Sequence, residues 1–465
     1  MPGRPRPPRR EPRGSGPRPS GPRPSRPRPP KPDRAPGLRA PGGPRRGLSM
    51  PRAPGAISTG GDRELAARLG DALTAAAHDD VVADSLTHPI HTYPARLHPA
   101  TARALVELVV DNMPDRTVFL DPFCGSGTTL VEARAVNAPA IGVDLNPLAV
   151  RLAWVKTWTA PVSRRRAMRE LGMRLAGDVL AMGRDARKSG HSAAPLRAPV
   201  GFDPNARQRR LARWFAPHVR RELEALAAAI EEVRVDDVEL AEVLTIALSA
   251  VLYKVSSRKS DTDPTWVERN VPRGAAARWF GERVAMIAAG LDDLAVGRVA
   301  PTVVHEADAR ALGRLELPPV GAVVTSPPYP GTYDYADQHR LRFDFLGLRH
   351  RAFTEKELGA RRQFSANSVE AMRQWRADQV TWMGSLAEVL VPGAWAAFVV
   401  GDSLAGTRAI YADDELRGAL DDRLAAVAWA AQERPMLGAV ERRAFAERPK
   451  REHVILLERR PDPVG

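Results

Sequence analysis

The 465-residue sequence predicts an α/β fold built on an open, mostly parallel sheet, with a helical insertion and a disordered N-terminal tail. Three observations predict it. Residues 117–144, TVFLDPFCGSGTTLVEARAVNAPAIGVD, read as strand, glycine turn, helix and second strand, the unit from which parallel sheets are built. The apolar runs in TVVHEAD (302–308) and at Ala322–Val324 have strand length and composition. The first 54 residues show no apolar periodicity of either kind.

The tail comes first in the chain. Residues 1–54 hold 15 Lys/Arg against two acids, Glu11 and Asp33, and 18 of the 43 prolines. The other 411 residues are nearly neutral, so the net charge of +14 belongs to the tail. Such a segment cannot bury enough apolar surface to fold, and 1–55 is expected to be a mobile, partly polyproline-II arm that attracts phosphates. No apolar run approaches the roughly 20 residues that cross a bilayer, and no signal-peptide core is present. The single cysteine, Cys124, excludes a disulfide framework and a thiolate metal cluster, and a reducing cytoplasm is expected.

Next, HPIHTYPARLHPATARALVELVVDNM (88–113) reads as a loop and then a helix whose apolar side carries Ala102, Leu105, Val106 and Val109. Val118–Leu120 is the first buried strand, DPFCGSG the turn, TTLVEARAVN a helix, and Ala140–Val143 a strand ending on Asp144. Residues 85–158 form one half of the α/β domain. The stretch 159–300 is a helical insertion, in which Leu223, Leu226, Ala227 and Ile230 share one face and Leu240, Leu244, Ala247, Val251 and Val255 another. Its basic clusters SRRRAMR and ARQRRLARWF, and the polar loop 256–266 with Arg258 and Lys259, are candidates for nucleic-acid recognition, against a plain helical cap with solvated arginines. Residues 301–465 form the second half. There the helix around Thr381–Leu390 precedes a strand at Gly393–Asp402, and REHVILLERR closes the sheet near the end.

The glycine turn has a specific physical meaning. Gly125 and Gly127 let backbone approach a ligand with no Cβ in the way. Asp144, 17–19 residues farther on, is placed to accept hydrogen bonds from ribose hydroxyls. A dinucleotide fingerprint would require glycine where Leu130 stands, which argues against NAD. At the end of the second apolar run, TSPPY (325–329) stops a strand with two prolines that cannot donate ladder hydrogen bonds.

DPFCGSGTTLVEA followed by TSPPY resembles the adenosylmethionine-dependent DNA amino-methyltransferases, which modify cytosine N4 or adenine N6. HTYPARLHPATARAL resembles the segment that closes over the methionine part of their ligand, and the resemblance covers about half the chain. It implies a Rossmann-like methyltransferase sheet with S-adenosylmethionine as cofactor. Asp121, Phe123, Gly125, Gly127 and Thr128 then belong to the amino-acid end of that cofactor, Asp144 to its ribose and Asp308 to its adenine. Ser326, Pro327, Pro328 and Tyr329 form the catalytic tetrapeptide that holds the target base, with Tyr333, Asp334 and Tyr335 beside it. The partner implied is double-stranded DNA, with a cognate restriction nuclease left open.

The tetrapeptide suits that chemistry. An exocyclic base amine is a poor nucleophile because its lone pair is delocalised into the ring. Two acceptors, the Ser326 hydroxyl oxygen and the Pro327 carbonyl, take hydrogen bonds from the NH2 and aim its lone pair at the methyl donor. Tyr329 offers a face for stacking a base flipped out of the duplex. The SPPY spelling favours cytosine N4. Adenine N6 and an RNA base amine are alternatives, as is an inactive scaffold that binds nucleic acid through its tail. Cys124 is read as packing within the turn. His88, His91 and His98 match no zinc spacing and are read as loop histidines near ligand or phosphate, with no metal site.

Overall fold

Ten strands organise the described residues: β1 Ile57–Gly61, β2 Val118–Asp121, β3 Ala140–Asp144, β4 Thr302–Glu306, β5 Val320–Thr325, β6 Leu390–Gly401, β7 Ser403–Ala405, β8 Arg408–Ile410, β9 Leu424–Glu433 and β10 Arg451–Arg459. This is a computed structural model describing residues 55–78, 80–189, 209, 211–260, 263, 265–295 and 300–462. The expected arm at 1–55 lies outside the described residues except for Gly55. No helix among them is long and apolar enough to cross a membrane.

Eight strands form one sheet in the order β1-β9-β10-β6-β5-β2-β3-β4, and β7 with β8 makes a small hairpin. The pairings from β6 through β5, β2 and β3 to β4 are parallel; those of β6, β10, β9 and β1 are antiparallel. Every residue of β5 is buried, as a near-continuous apolar run requires when helices cover both faces. Chain order reverses between β2 and its neighbour β5, since β3 and β4 extend one way and β6 the other. The carboxyl ends of β2, β3 and β5 therefore meet at a topological switch point, where open α/β sheets bind ligands. The α/β, mostly parallel fold is as expected.

Two features depart from the expected layout. REHVILLERR does not close the sheet, because β10 lies inside it between β6 and β9. The edge on that side is β1, backed by the helix Arg63–His78, whose Leu69, Ala72 and Leu73 join the core beneath the sheet. LAAVAWAAQE, which forms β9, carries no pattern that marks it as a strand, and β1 and the helix behind it are elements beyond those expected. Alanine-rich strands lack the β-branched signal, and only pairing with a buried β10 makes β9 a strand.

The insertion contributes the helices Val162–Ser189, Pro217–Asp236, Val238–Val255 and Ala275–Leu294. Leu223, Leu226 and Ile230 are buried on one helix and Leu240, Leu244, Ala247, Val251 and Val255 on the next. They share one apolar cluster with Leu148, Leu152 and Val155 behind β3 and with Leu341 and Phe343 beyond the tetrapeptide. The bundle is thus cemented to both halves of the α/β domain.

Burial corrects the DNA role expected of Arg258. Arg258 is 3% exposed, stacks its guanidinium over Tyr253 and donates to backbone carbonyls of Ser260 and Asp337. A cation so enclosed cannot meet a phosphate. Lys259 is more exposed and pairs with Asp263 at 2.7 Å. In the first basic cluster Arg164 pairs with Asp237 and Arg165 with Asp292. Only 209 and 211–215 of the second cluster are described, with Leu211 and Phe215 turned into the core.

Candidate active site

Asp121 ends β2 in a fully enclosed position and organises the turn that follows. Its carboxylate accepts hydrogen bonds from the Phe123 backbone N–H at 3.0 Å, the Thr129 hydroxyl, and the Thr325 hydroxyl at 2.7 Å. Burial pushes this carboxyl up to about 6, and the three hydrogen bonds oppose the shift. The turn itself needs glycine. Gly125 and Gly127 have φ of +50° and +78°, a left-handed conformation that costs other residues. A Cβ on Gly127 would sit 2.9 Å from Ala153, so the turn packs directly on the helix Pro147–Lys156.

Asp144 ends β3 across the turn. One carboxylate oxygen accepts from the Gly125 N–H and the other from the Asn146 N–H, each at 2.8 Å. Desolvation pushes the carboxyl up to about 6 against those hydrogen bonds. The Asn146 side chain caps the next helix through Leu148 N–H and donates to Tyr93 Oη, which ties in the loop before the Pro99–Val110 helix.

These groups wall one cleft. Asp121, Phe123, Gly125, Thr128, Asp144 and Asp308 all line it, together with Ser326 and Pro328 from the tetrapeptide. Gly127 stands one step behind, where it sets the turn. Thr128 presents a buried hydroxyl oxygen with no partner among the described residues. Carboxylates, glycine-turn backbone and an orphaned hydroxyl along one cleft fit a ligand rich in hydroxyl and amino groups. Asp308 is bound by Arg310, which also reaches Asp378. Burial tends to raise the Asp308 carboxyl, but the Arg310 contacts prevail and hold it below the ordinary carboxylate value.

The tetrapeptide hangs from β5. Ser326 Oγ and Tyr329 Oη lie 3.3 Å apart, and Tyr329 Oη approaches the Val399 carbonyl at 3.4 Å. The Tyr329 ring packs on Gly401, where an added Cβ would come within 3.0 Å of it. Burial pushes the phenol up to about 12, so it is a neutral donor at ordinary pH. Trp375 Nε1–H donates to the Pro328 carbonyl at 3.4 Å. A second pocket opens beyond Ser326, lined by Pro327, Tyr329, Tyr333, Tyr335, Arg434 and Glu452 among others. Ser326 therefore belongs to both cavities. Asp334 is held away in an ion pair with Arg362 and a helix cap.

Cys124, His88 and His91 serve packing. Cys124 is buried with its thiol pushed up by desolvation, first of all, and by Asp144 and Asp121. Its sulfur lies where a Cβ on Gly142 would be, 2.9 Å away. His88 is enclosed against Glu132 at 2.6 Å and lowered to about 4 by burial. His91 is enclosed too, beside Ser249. Neither is a loop histidine facing ligand or phosphate. His98 caps the Pro99–Val110 helix with Nδ1 and lines the second pocket. Sequence reading missed Arg96, which lines both cavities, and Lys156, which is buried behind the turn and donates to Ser126 Oγ at 3.2 Å. A lysine at the end of an apolar helix carries no signal of that position.

Residues 76–154, which include the glycine turn and Asp144, match the family described as DNA methylase. This segment is similar to the N4/N6 DNA methylases. A 72-residue stretch is 42% identical to type II methyltransferase M.MvaI of Kocuria varians, covering 16% of each chain. The chain thus spans about a sixth of the length of the curated relative it matches. Among solved structures, TrmN from Thermus thermophilus is 13% identical with a TM-score of 0.30, over 78% of this chain and 48% of that one. The rRNA methyltransferase aviRa from Streptomyces viridochromogenes is 14% identical with a TM-score of 0.29, over 82% and 94%. Likeness at that level does not bear on substrate.

Proposed function

We propose that the protein is an S-adenosylmethionine-dependent DNA methyltransferase acting on an exocyclic base amine, with cytosine N4 preferred and double-stranded DNA as substrate. The observation that carries this reading is the double membership of Ser326, which lines the Asp121–Asp144 cleft and the aromatic pocket next to it. A group held in one cavity and a base held in the other would meet at that residue.

Asp144 would hold the ribose hydroxyls, the Asp121–Thr128 turn the amino-acid end, and Asp308 the adenine side. When bound, the cofactor supplies an electrophilic methyl group. Ser326 Oγ and the Pro327 carbonyl accept the two N–H groups of the base amine and turn its lone pair toward the cleft. Proline at 327 and 328 fixes φ, so the acceptors are set before the base arrives. The Tyr329, Tyr333 and Tyr335 rings enclose the flipped base and exclude water. The nitrogen would give up one proton by way of Ser326 Oγ, and that proton would reach bulk solvent as the product base withdraws and water returns to the pocket.

Incubating the full chain with S-adenosylmethionine and plasmid DNA, then digesting to nucleosides for mass spectrometry, tests the proposal. N4-methylcytosine is expected. 5-Methylcytosine, or modification of RNA but not DNA, would overturn it, and N6-methyladenine would correct the target base.

A further inference from the structure

The second pocket carries a partly buried ion pair that methyl transfer as described does not use. Arg434 directly follows β9 and Glu452 is the second residue of β10, and their side chains meet as a salt bridge with only 14% and 16% of each exposed. The backbone fixes them there, since Arg434 N–H donates to the Lys450 carbonyl at 2.8 Å and Glu452 pairs with Gln432 in the ladder. Both line the pocket with Ser326, Tyr329 and Tyr333. Arg96, the other arginine on that wall, donates to the His88 carbonyl at 2.6 Å. Taking two charges out of water is costly, so a pair retained in a ligand pocket invites a role beyond stability.

The chemistry of the bases gives that role. With its amine at Ser326, cytosine presents two adjacent acceptors on the same edge, ring N3 and then carbonyl O2. Adenine presents one, N1, followed by a C–H. A guanidinium is a planar fork whose N–H groups match paired acceptors and gain little from a single one. Glu452 can hold one edge of the fork and leave the other for the base. Arg434 and Tyr329 line the same pocket, so the guanidinium and the tetrapeptide's aromatic ring face one cavity.

We propose that Arg434, positioned by Glu452, donates to N3 and O2 of the flipped cytosine and so selects cytosine over adenine. This rests on the reading of the pocket as the base site. Bidentate recognition of this kind discriminates by about ten- to a hundredfold.

The test uses the full chain and a duplex containing the site found by sequencing plasmid that the wild type has methylated. The target position carries cytosine or 2-thiocytosine, whose sulfur is a weak acceptor. Wild type should lose roughly tenfold or more in kcat/KM on 2-thiocytosine, whereas Arg434→Met should be slow on cytosine and indifferent to the sulfur. Arg434→Lys, which keeps the charge and loses the fork, should behave like Arg434→Met. Glu452→Gln, which keeps a hydrogen bond to the fork, should retain part of the cytosine rate and of the sulfur penalty, a partial rescue that a purely structural role for Glu452 would not give. Calorimetric S-adenosylmethionine affinity equal to wild type shows that each variant is folded. A sulfur penalty that persists in folded Arg434→Met, or wild type indifferent to the sulfur, overturns the assignment while leaving methyl transfer intact. Wild type that methylates adenine also overturns it. Wild type that methylates no base removes the reading beneath it.

Discussion

The Thr325 hydroxyl donates to the Asp121 carboxylate at 2.7 Å, joining residues 204 positions apart in the chain. Thr325 is the last residue of β5 and directly precedes the tetrapeptide, while Asp121 ends β2 and opens the glycine turn. Parallel pairing of β2 with β5 brings the two strand ends together. One hydrogen bond thus fixes the turn and the tetrapeptide relative to each other. Replacing Thr325 with Val keeps the shape and leaves the buried carboxylate short of a donor, a loss of about 1–3 kcal/mol. Thermal denaturation should show that loss, and kcat for methyl transfer should fall more than cofactor affinity. Unchanged stability together with unchanged kcat would remove the coupling.

Cofactor affinity should depend on pH through Asp144. Its carboxyl is raised to about 6, chiefly by desolvation, so the protonated form gains population below that pH and loses an acceptor for hydroxyl groups. Affinity should therefore decline as pH falls from 7 to 5, and Asp144→Asn should be weak and keep only the smaller decline that belongs to Asp121, whose carboxyl is also raised to about 6. For folding the sign is opposite. A carboxyl raised in the folded state binds more protons there than in the unfolded chain between about pH 4 and 6, so its contribution to stability falls as pH rises through that window. Calorimetric titration and denaturation across pH 4–8 measure the two slopes separately.

Ser326→Ala should lower methyl transfer by a hundredfold or more while S-adenosylmethionine affinity changes little, because the hydroxyl acts on the base amine. Tyr329→Ala should do the same through loss of the ring. Cys124→Ser should keep substantial activity, since the buried thiol takes no covalent part. A covalent adduct between Cys124 and DNA would contradict this assignment.

Arg258→Ala should destabilise the fold rather than weaken DNA binding. The side chain is enclosed by Tyr253 and two backbone carbonyls, and its loss should cost about 1–3 kcal/mol. Lys259→Ala, at an exposed pair, should change stability by well under 1 kcal/mol. A gel-shift series with unchanged DNA affinity for Arg258→Ala is expected after correction for the folded fraction.

A chain beginning at Met50 should methylate the same sequence with a shallower dependence of log affinity on log salt. Residues 1–54 carry a balance of +13 and no apolar face, so phosphates rather than bases are the contacts expected of them. Identical salt slopes for the long and short chains would show that the tail takes no part in binding.

What the sequence determined by itself was local. DPFCGSGTT and TSPPY marked the glycine turn after β2 and the proline stop after β5, because glycine and proline constrain backbone wherever they occur. Period-3.6 apolar faces placed Leu105, Leu226 and Leu244 in the core, where each is fully buried. The tertiary structure alone decided everything that depends on which distant strands meet. It placed β10 inside the sheet, made a strand of alanine-rich β9, enclosed Arg258, and brought Arg434 against Glu452. Periodicity reports which face of an element is buried, but strand order and ion pairing arise from contacts between remote segments. An arginine in a loop reads the same in sequence whether it faces solvent, Tyr253 or a base pocket; only the packing around it tells these apart.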